Sequence, residues 1–175
     1  MSSLGDVIHT LPAISDAASL RNDIRFDWVV EEAFTAIPDQ HPAVDQVIPI
    51  GLRRWRRQLP RSGGLRVAAR FVRRLRDVRY DLIIDAQGLL KSAVVAGLAR
   101  GTVAGLDGQS AREPLSRRFY HETVSVPRSQ HAVTRVRQLF ARTLGCEVPI
   151  GDPNYGLDQR VQLEPTWPTR VMLLH

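Results

Sequence analysis

Residues 80–99 read YDLIIDAQGLLKSAVVAGLA, and this stretch decides the fold. Residues 80–86 form an apolar run that predicts a buried strand, and residues 88–99 predict a helix. A strand that is apolar throughout, without in-and-out alternation, is typical of a parallel sheet covered on both faces. The stretch therefore predicts one strand–turn–helix unit of an α/β fold.

Strands and helices alternate on both sides of this unit, which predicts a doubly wound parallel sheet. Pro12 is expected to kink the first helix or to delay its start, and Gly145 is the expected C-cap of the last helix. The predicted strands span residues 24–30, 43–50, 80–86 and 102–106. The predicted helices span residues 5–20, 31–38, 65–79, 88–99 and 131–145. In the third of these helices, the residues expected to face inward are Leu65, Ala69, Val72 and Leu75.

The composition is that of a soluble globular domain, with 175 residues, 43% hydrophobic and 24% charged. No apolar run approaches the roughly 18 residues of a membrane span, and no secretory signal is recognisable. The lone Cys146 excludes an internal disulfide, and His9 and His131 lack companions at metal-ligand spacing. These features predict a cytoplasmic protein, with both histidines interpreted as structural or hydrogen-bonding.

The charge indicates an anionic partner. The formal net charge is +6, and Lys91 is the only lysine among 24 basic residues. Arginine donates bidentate hydrogen bonds to phosphates and carboxylates. The partner is therefore expected to be a nucleic acid, an acidic membrane surface, or a phosphorylated or carboxylated small substrate.

The segment SSLGD, residues 2–6, precedes the first predicted helix. In a doubly wound fold, such a turn lies at the carboxyl edge of the sheet, where ligands bind. Gly5 allows close backbone approach, and free amides at the helix start favour an anion. Asp6 either caps the helix or takes a proton from a bound hydroxyl group. The residues alone favour the cap.

A basic cluster, GLRRWRRQLPRS at residues 51–62, follows a predicted strand and so leaves from the same edge. No acidic residue interrupts residues 46–76, which favours an anion site over a solvated face. Trp55 is expected either to pack down as the anchor of the loop or to lie at a membrane interface. The guanidinium groups flanking this tryptophan are those of Arg53, Arg54, Arg56 and Arg57.

Two further turns carry candidate ligand contacts. In DAQGLLKSA, residues 85–93, Asp85 and Gln87 would project at the ligand edge, with Lys91 one turn into the helix. Arg112 lies in a loop between a strand and a helix, and is another candidate contact for phosphate or carboxylate. No Gly-x-Gly-x-x-Gly motif occurs, so the sequence does not predict a dinucleotide site.

Five ordered blocks resemble the lipopolysaccharide heptosyltransferase I family, within glycosyltransferase family 9. They are SSLGDVIHTLPAISDA, FDWVVEEAF, VIPIGLRRWRR, YDLIIDAQGLLKSA and AREPLSRRFY, in that order, and the resemblance runs over essentially the whole chain. The resemblance implies the two-domain GT-B fold, with this chain as its N-terminal, Rossmann-like half. It also implies transfer of L-glycero-D-manno-heptose from ADP-heptose to Kdo of lipid A, with inversion and without a metal or cofactor.

The resemblance further implies roles for the residues named above. Asp6 matches the aspartate that acts as catalytic base on the Kdo hydroxyl group, so the base becomes the favoured interpretation. Arg112 matches an arginine near the acceptor and the transferred sugar. The loop expected to hold acceptor phosphates and Kdo carboxylates matches Arg53, Arg54, Arg56 and Arg57. The other matching acceptor-site residues are Ser3, Gly5, Gln87 and Lys91, and His131 lies in a matching block.

Two departures from the family shape the expected domain organisation. The family has a central strand before the SSLGD turn, and it continues beyond the segment RVMLLH into a donor-binding domain. We therefore expect an acceptor-binding domain at residues 1–145, a proline-interrupted linker at 146–170, and the start of a truncated second domain at 171–175. Such a fragment is expected to have no transferase activity of its own.

The expected partners are Kdo-lipid A, ADP-heptose and the inner face of the inner membrane, and nucleic acid is not among them. Three alternatives stay open. One is an ADP-heptose transferase acting further out on the core oligosaccharide, although the basic loop favours the first transferase. Another is a basic α/β domain that binds nucleic acid, although aromatics are only 6% and no recognisable motif is present. The last is a remnant that only binds the acceptor.

Overall fold

The computed structural model describes residues 3–52, 54–55, 64–148 and 150–157. The strands are β1 (Phe26–Glu31), β2 (Val44–Ile50), β3 (Arg79–Asp85), β4 (Arg100–Leu106) and β5 (Glu122–Val124). The main helices are α1 (Leu4–Leu20), α2 (Gly64–Asp77), α3 (Leu90–Leu98) and α4 (Ala132–Thr143). In this part of the chain the strands form two parallel sheets, with orders β1–β2 and β3–β4–β5.

Helices cover both faces of the strands, which confirms the predicted doubly wound α/β fold. Trp28 packs in one hydrophobic cluster and its neighbour Val29 packs in the other, because successive strand residues point to opposite faces. The first cluster joins α1 and α4 through Ile14 and Phe140. The second joins α2 and α3 through residues that include Leu75 and Val95.

β1 and β3 each keep one edge without a strand partner among the described residues. Residues 26–29 and 82–84 are accordingly only half-buried, whereas residues 103–106 of β4 are fully buried. The Tyr80 hydroxyl connects the two sheets by donating to the Asp27 carboxylate at 2.8 Å. Burial, the Asp27 hydrogen bond and the Asp27 charge raise the pKa of Tyr80 to about 12. The pairing of the described strands is parallel throughout, which confirms the predicted parallel sheet.

α1 begins at Leu4 and runs through Pro12 to Leu20, so the prediction that Pro12 would delay the helix start is wrong. Proline inside a helix costs about 3 kcal/mol because it removes one backbone hydrogen bond. Leu11 and Ile14, on either side of Pro12, are almost fully buried. Burying each such side chain contributes about 1.5–3 kcal/mol, which is enough to offset the proline.

The other differences from the predicted elements concern small or polar residues. Ala69 is exposed, whereas Phe71 and Leu75 are buried and Val72 is half-buried. The larger side chains set the orientation of α2, because an alanine offers little apolar area. The side chain of Leu65, the fourth residue predicted to face inward, lies outside the described residues. The predicted helix at 31–38 is replaced by two short 3₁₀ helices, Glu32–Phe34 and Pro38–Gln40. Another 3₁₀ helix, Pro114–Phe119, replaces a predicted loop, and β5 was not predicted.

α4 ends at the expected glycine. Gly145 has φ +68°, and the Cys146 amide donates to the Ala141 carbonyl at 2.8 Å, which is the bond of a Schellman C-cap. The predicted C-cap is therefore confirmed. No described helix has both the length and the apolar character that a membrane crossing requires.

A buried histidine anchors the start of β2 to α1. The Ala43 amide donates to His41 Nδ1 at 3.2 Å, and His41 Nε2 lies 2.9 Å from Ser15 Oγ. Because Nδ1 is an acceptor, the proton belongs on Nε2, which donates to the serine. Gly156, at φ +63°, packs directly on the imidazole ring. Burial lowers the pKa of His41 below its usual value.

We expect the stability of the protein to fall as pH drops below about 6.5, the usual pKa of an unfolded histidine. The unfolded state then binds a proton that the folded state refuses, because the folded pKa of His41 is lowered. Thermal melts by circular dichroism between about pH 8 and pH 5 measure the slope of stability against pH. His41→Asn, which can still accept from Ala43, should flatten it. An unchanged slope in the variant would show that another group is responsible.

Candidate functional site

Ser3, and not Asp6, caps the first turn of α1. Ser3 has extended backbone angles, and its Oγ accepts a hydrogen bond from the Asp6 amide at 3.2 Å. Gly5 occupies the exposed first turn between them. The Asp6 carboxylate is therefore available for contacts outside its own helix.

Three side chains donate to Asp6. Arg112 Nη2 approaches Oδ1 at 2.7 Å, Ser3 Oγ donates to Oδ2 at 2.8 Å, and Gln87 Nε2 donates to Oδ2 at 3.1 Å. The Asp6 side chain is 17% exposed. Partial burial alone would raise the pKa of Asp6, but the hydrogen bonds from Arg112, Ser3 and Gln87 and the Arg112 charge hold it below its usual value. Asp6 is thus an ionised carboxylate at neutral pH.

A second carboxylate, Asp85 at the end of β3, fixes the turn that carries Gln87. Asp85 is only 5% exposed. Its Oδ1 accepts from the amides of Gln87 at 2.9 Å and Gly88 at 3.3 Å. Its Oδ2 accepts from Ser92 Oγ at 2.8 Å and Tyr120 Oη at 2.7 Å. Four donors therefore compensate the burial of one acidic group, which would otherwise cost several kcal/mol.

Glycines at two positions make room for this network. Gly88 has φ +62°, and a Cβ there would crowd Ala111 at 3.2 Å. A Cβ on Gly105 would overlap the ring of Tyr120. Burial and the charge of Asp85 raise the pKa of Tyr120, so its hydroxyl remains a proton donor.

Two arginines that the sequence analysis missed lie beside Arg112. Arg135 Nη2 donates to the Ser110 carbonyl at 2.6 Å, and Arg128 donates to the Ala111 carbonyl. Burial, together with the charges of Arg128 and Arg112, lowers the pKa of Arg135, so the three guanidinium groups repel one another. Asp6 is the carboxylate paired with this group in the described structure. The excess positive charge favours an anionic ligand.

A small cavity of about 30 Å³ opens between these groups, lined by side chains that include Asp6, His9, Gln87, Arg112 and Arg135. Gln87 Oε1 and Arg135 Nε are buried and have no hydrogen-bond partner among the described residues. The volume accommodates a water molecule or a hydroxyl group. A hydroxyl group both donates and accepts, so it is the type of ligand that can satisfy an orphaned acceptor and an orphaned donor.

The remaining predicted residues lie at different distances from this cluster. His131 caps α4 by accepting from the Val133 amide at 3.3 Å, and its ring contacts that of His9 edge-on at 5.8 Å. The hydrogen bond of His131 agrees with its interpretation as structural or hydrogen-bonding. His9 also lines the cavity, so both histidines lie at the rim of the site. Lys91 is exposed in the first turn of α3.

The structure describes the basic loop in part. Trp55 packs edge-on against Phe71 at 5.2 Å, so the interpretation of Trp55 as the anchor of the loop is confirmed. Arg54 pairs with Glu32 at 2.6 Å, after β1, and does not join the Asp6 cluster. The other three arginines of the predicted anion site lie outside the described residues: Arg53, Arg56 and Arg57.

The doubly wound sheet with this polar cluster at the carboxyl ends of its strands has the architecture of a Rossmann-like domain of the GT-B glycosyltransferases. A family model described as glycosyltransferase family 9 (heptosyltransferase) matches residues 68–166. The chain belongs to this family, and the predicted family membership is confirmed.

Relatives and solved structures agree with this assignment. A lipopolysaccharide heptosyltransferase 1 from Pseudomonas aeruginosa is 53% identical over 178 residues, covering 98% of this chain and 49% of the relative. The protein of the same name from Escherichia coli K12 is 46% identical, covering 90% of this chain and 50% of the relative. The chain thus spans about half the length of the curated relatives it matches.

The E. coli heptosyltransferase WaaC with ADP-2-deoxy-2-fluoro heptose matches with a TM-score of 0.88 at 46% identity. That match covers 90% of this chain and 50% of the solved one. The same enzyme with ADP gives a TM-score of 0.87 over 90% of this chain and 49% of the solved one, again at 46% identity.

We expect Arg112→Gln to raise the pKa of Asp6, because burial then opposes ionisation without the arginine charge and its hydrogen bonds. Carboxyl-carbon NMR titration of Asp6 measures the shift. Arg118→Gln is the matched control, since Arg118 is an exposed arginine outside the Asp6 contacts. Equal titration of Asp6 in both variants would mean that Arg112 does not set its protonation.

We expect Tyr120→Phe to lower the free energy of unfolding by about 1–3 kcal/mol, because buried Asp85 loses a donor. Urea denaturation followed by circular dichroism gives this value. Tyr155→Phe should change it by less than about 0.5 kcal/mol, since Tyr155 Oη has no hydrogen bond to a described residue. Similar effects in the two variants would contradict a special role for the Asp85 network.

Proposed function

We propose that this chain forms the acceptor side of a lipopolysaccharide heptosyltransferase I. The reaction transfers L-glycero-D-manno-heptose from ADP-heptose to a Kdo residue of lipid A. The observation that carries the proposal is the ionised carboxylate of Asp6 beside a hydroxyl-sized cavity, at the ligand edge of a family 9 domain. The names of the relatives support the substrate class.

Asp6 acts as the general base in this proposal. The acceptor hydroxyl group occupies the cavity and donates a hydrogen bond to the carboxylate. As its oxygen attacks the anomeric carbon of the heptose, its proton passes to Asp6 and ADP leaves from the opposite face. This displacement gives inversion, and Asp6 releases the proton to solvent afterwards.

Arg112 controls the basicity of Asp6 while it recognises the acceptor. In the free protein, the Arg112 pair makes Asp6 a weak base. When a Kdo carboxylate or a lipid A phosphate binds Arg112, that guanidinium is shared and its hold on Asp6 weakens. The pKa of Asp6 then moves upward, toward the value that favours proton transfer. The acceptor thereby activates its own base.

Other residues, both predicted ones and the two arginines found in the structure, support binding of the acceptor. Gln87 orients Asp6 and the attacking hydroxyl group, and Ser3 and Gly5 form the helix start that carries the base. Arg128 and Arg135 add positive charge around the acceptor, and Lys91 extends it along the cleft. The loop that binds the outer phosphates and carboxylates contains Arg53, Arg54, Arg56 and Arg57.

The proposed division of labour places acceptor binding in residues 1–145, a linker at 146–170, and the beginning of a donor-binding domain at 171–175. The donor is ADP-heptose, in keeping with the similar E. coli structures, which are of WaaC with ADP-2-deoxy-2-fluoro heptose and of WaaC with ADP. Because the acceptor is a lipid, the protein works peripherally at the cytoplasmic face of the inner membrane.

We expect Asp6→Asn to lower kcat for heptose transfer by about a hundredfold to ten-thousandfold, the range supplied by a positioned base. The assay uses a chimera that carries this chain in place of the matching half of the E. coli enzyme, with ADP-heptose and Kdo-lipid A. Asp23→Asn, in an exposed carboxylate paired with Arg21, is the control and should retain full activity. An active Asp6→Asn chimera would exclude the base role.

Calorimetric titration of the chain itself with Kdo-lipid A and with a heptosylated acceptor tests the substrate assignment separately. The proposal requires that Kdo-lipid A bind more tightly than the heptosylated acceptor. The affinity for Kdo-lipid A should change by less than about threefold in Asp6→Asn, because an asparagine preserves the shape of the site. Tighter binding of the heptosylated acceptor would assign the chain to a later step of core assembly.

A further inference from the structure

α3 is apolar on the side that faces solvent as well as on the side that faces the core. Ser92, Ala93, Val95 and Ala96 are buried. The opposite side carries Leu90, Val94 and Leu98, which are 39%, 40% and 37% exposed. An apolar helix side is normally covered by another element. The row of Leu90, Val94 and Leu98 is exposed, so it lacks such a partner in the described structure.

The 3₁₀ helix Pro114–Phe119 extends this apolar surface. The ring of Phe119 lies against Gly97 of α3, and Glu113 Oε2 accepts from the Leu90 amide at 2.5 Å, so the two helices are neighbours. Leu115 is 56% exposed and Phe119 is 38% exposed. We call the combined surface the α3 patch, and its members are Leu90, Val94, Leu98, Leu115 and Phe119.

Basic residues are frequent on the elements that carry or adjoin the α3 patch. α2 lies beside α3, since Phe71 and Val95 share a hydrophobic cluster and Arg100 Nη1 donates to the Arg76 carbonyl at 3.3 Å. Together, α2, α3 and residues 113–119 contain eight basic residues and two acidic residues, Asp77 and Glu113. The difference of six positive charges equals the formal net charge of the whole chain, +6.

We infer that the α3 patch docks on the surface of an anionic lipid bilayer. An interfacial surface needs exposed apolar side chains and nearby arginines. The leucine, valine and phenylalanine side chains can insert among the acyl chains, and the arginines can pair with lipid phosphates. A second copy of the chain is a poor occupant, since a two-fold interface would bring the two sets of basic residues together. The inference concerns a surface outside the Asp6 cluster and does not depend on sugar transfer.

Co-sedimentation with vesicles tests the inference directly. The chain should bind vesicles of equal parts phosphatidylglycerol and phosphatidylcholine, and bind vesicles of phosphatidylcholine alone at least about tenfold more weakly. The double variant Arg117→Glu/Arg118→Glu should lose about tenfold or more in affinity for the anionic vesicles. Val94→Asp/Leu115→Asp should lose a similar factor because it removes the apolar contact.

Matched controls separate this surface from general charge and hydrophobicity. Leu20→Asp changes an apolar residue that is 49% exposed at the end of α1, and Arg21→Glu/Arg25→Glu reverses two exposed arginines away from the patch. Both controls should bind within about threefold of the original chain, and circular dichroism should show every variant folded. Failure to bind anionic vesicles, or equal losses in patch and control variants, would overturn the inference. So would a concentration-dependent dimer that Val94→Asp/Leu115→Asp disrupts while vesicle binding persists.

Discussion

The buried carboxylate of Asp85 is the constraint on which the candidate site depends. The Asp85 carboxylate, at the end of β3, is costly to bury because it is charged. Four hydrogen-bond donors therefore converge on its two oxygens. Two of those donors are backbone amides of the turn after β3, so the turn can adopt only the conformation that satisfies them. That conformation fixes Gln87, which donates to Asp6. Asp85 therefore sets the geometry of Asp6 without contacting it.

The site combines residues from distant parts of a structure whose two sheets share no strand among the described residues. Asp6 enters on α1, which packs with α4, whereas Gln87 follows β3 and Arg112 follows β4. The hydrogen bond from Tyr80 to Asp27 connects β3 directly to β1. Much of the cohesion around the site must therefore come from the α1–α4 packing and from the bonds to Asp6 itself. The carboxylate that is proposed to react is also a structural link between distant parts of the chain.

The sequence could predict features that depend on local pattern and not those that depend on long-range packing. The long strands β1 to β4 were predicted because each is an apolar run, whereas β5 is three residues long and begins with exposed Glu122 and Thr123. The phase of α2 was wrong at Ala69 because the helix orients on Phe71 and Leu75.

The candidate site shows the same division between local and distant information. Asp6, Gln87 and Arg112 each follow a recognisable turn, and the structure brings them together over separations of 81 and 106 residues. Arg128 and Arg135 were missed because they reach the site by hydrogen bonds to the carbonyls of residues 110–111, which no side-chain pattern records. One feature of the sequence could have indicated that Arg135 belongs to the site. It follows His131 by a single helical turn. The α3 patch was missed too, since an apolar helix segment is ordinarily read as core.

The arginines divide into two groups with different physical roles. Those at the site are held by carbonyls or by Asp6, so their positions are set before a ligand arrives and little side-chain entropy remains to be lost. The arginines of α2 and of Pro114–Phe119 are exposed, so their side chains can adjust to lipid phosphates that have no fixed positions. Glu113 joins the two regions, because it neighbours Arg112 in the chain and accepts from Leu90 at the start of α3. In the inferred membrane-bound state, a bilayer against α3 would therefore lie on the side of the domain that carries Glu113 and its neighbour Arg112.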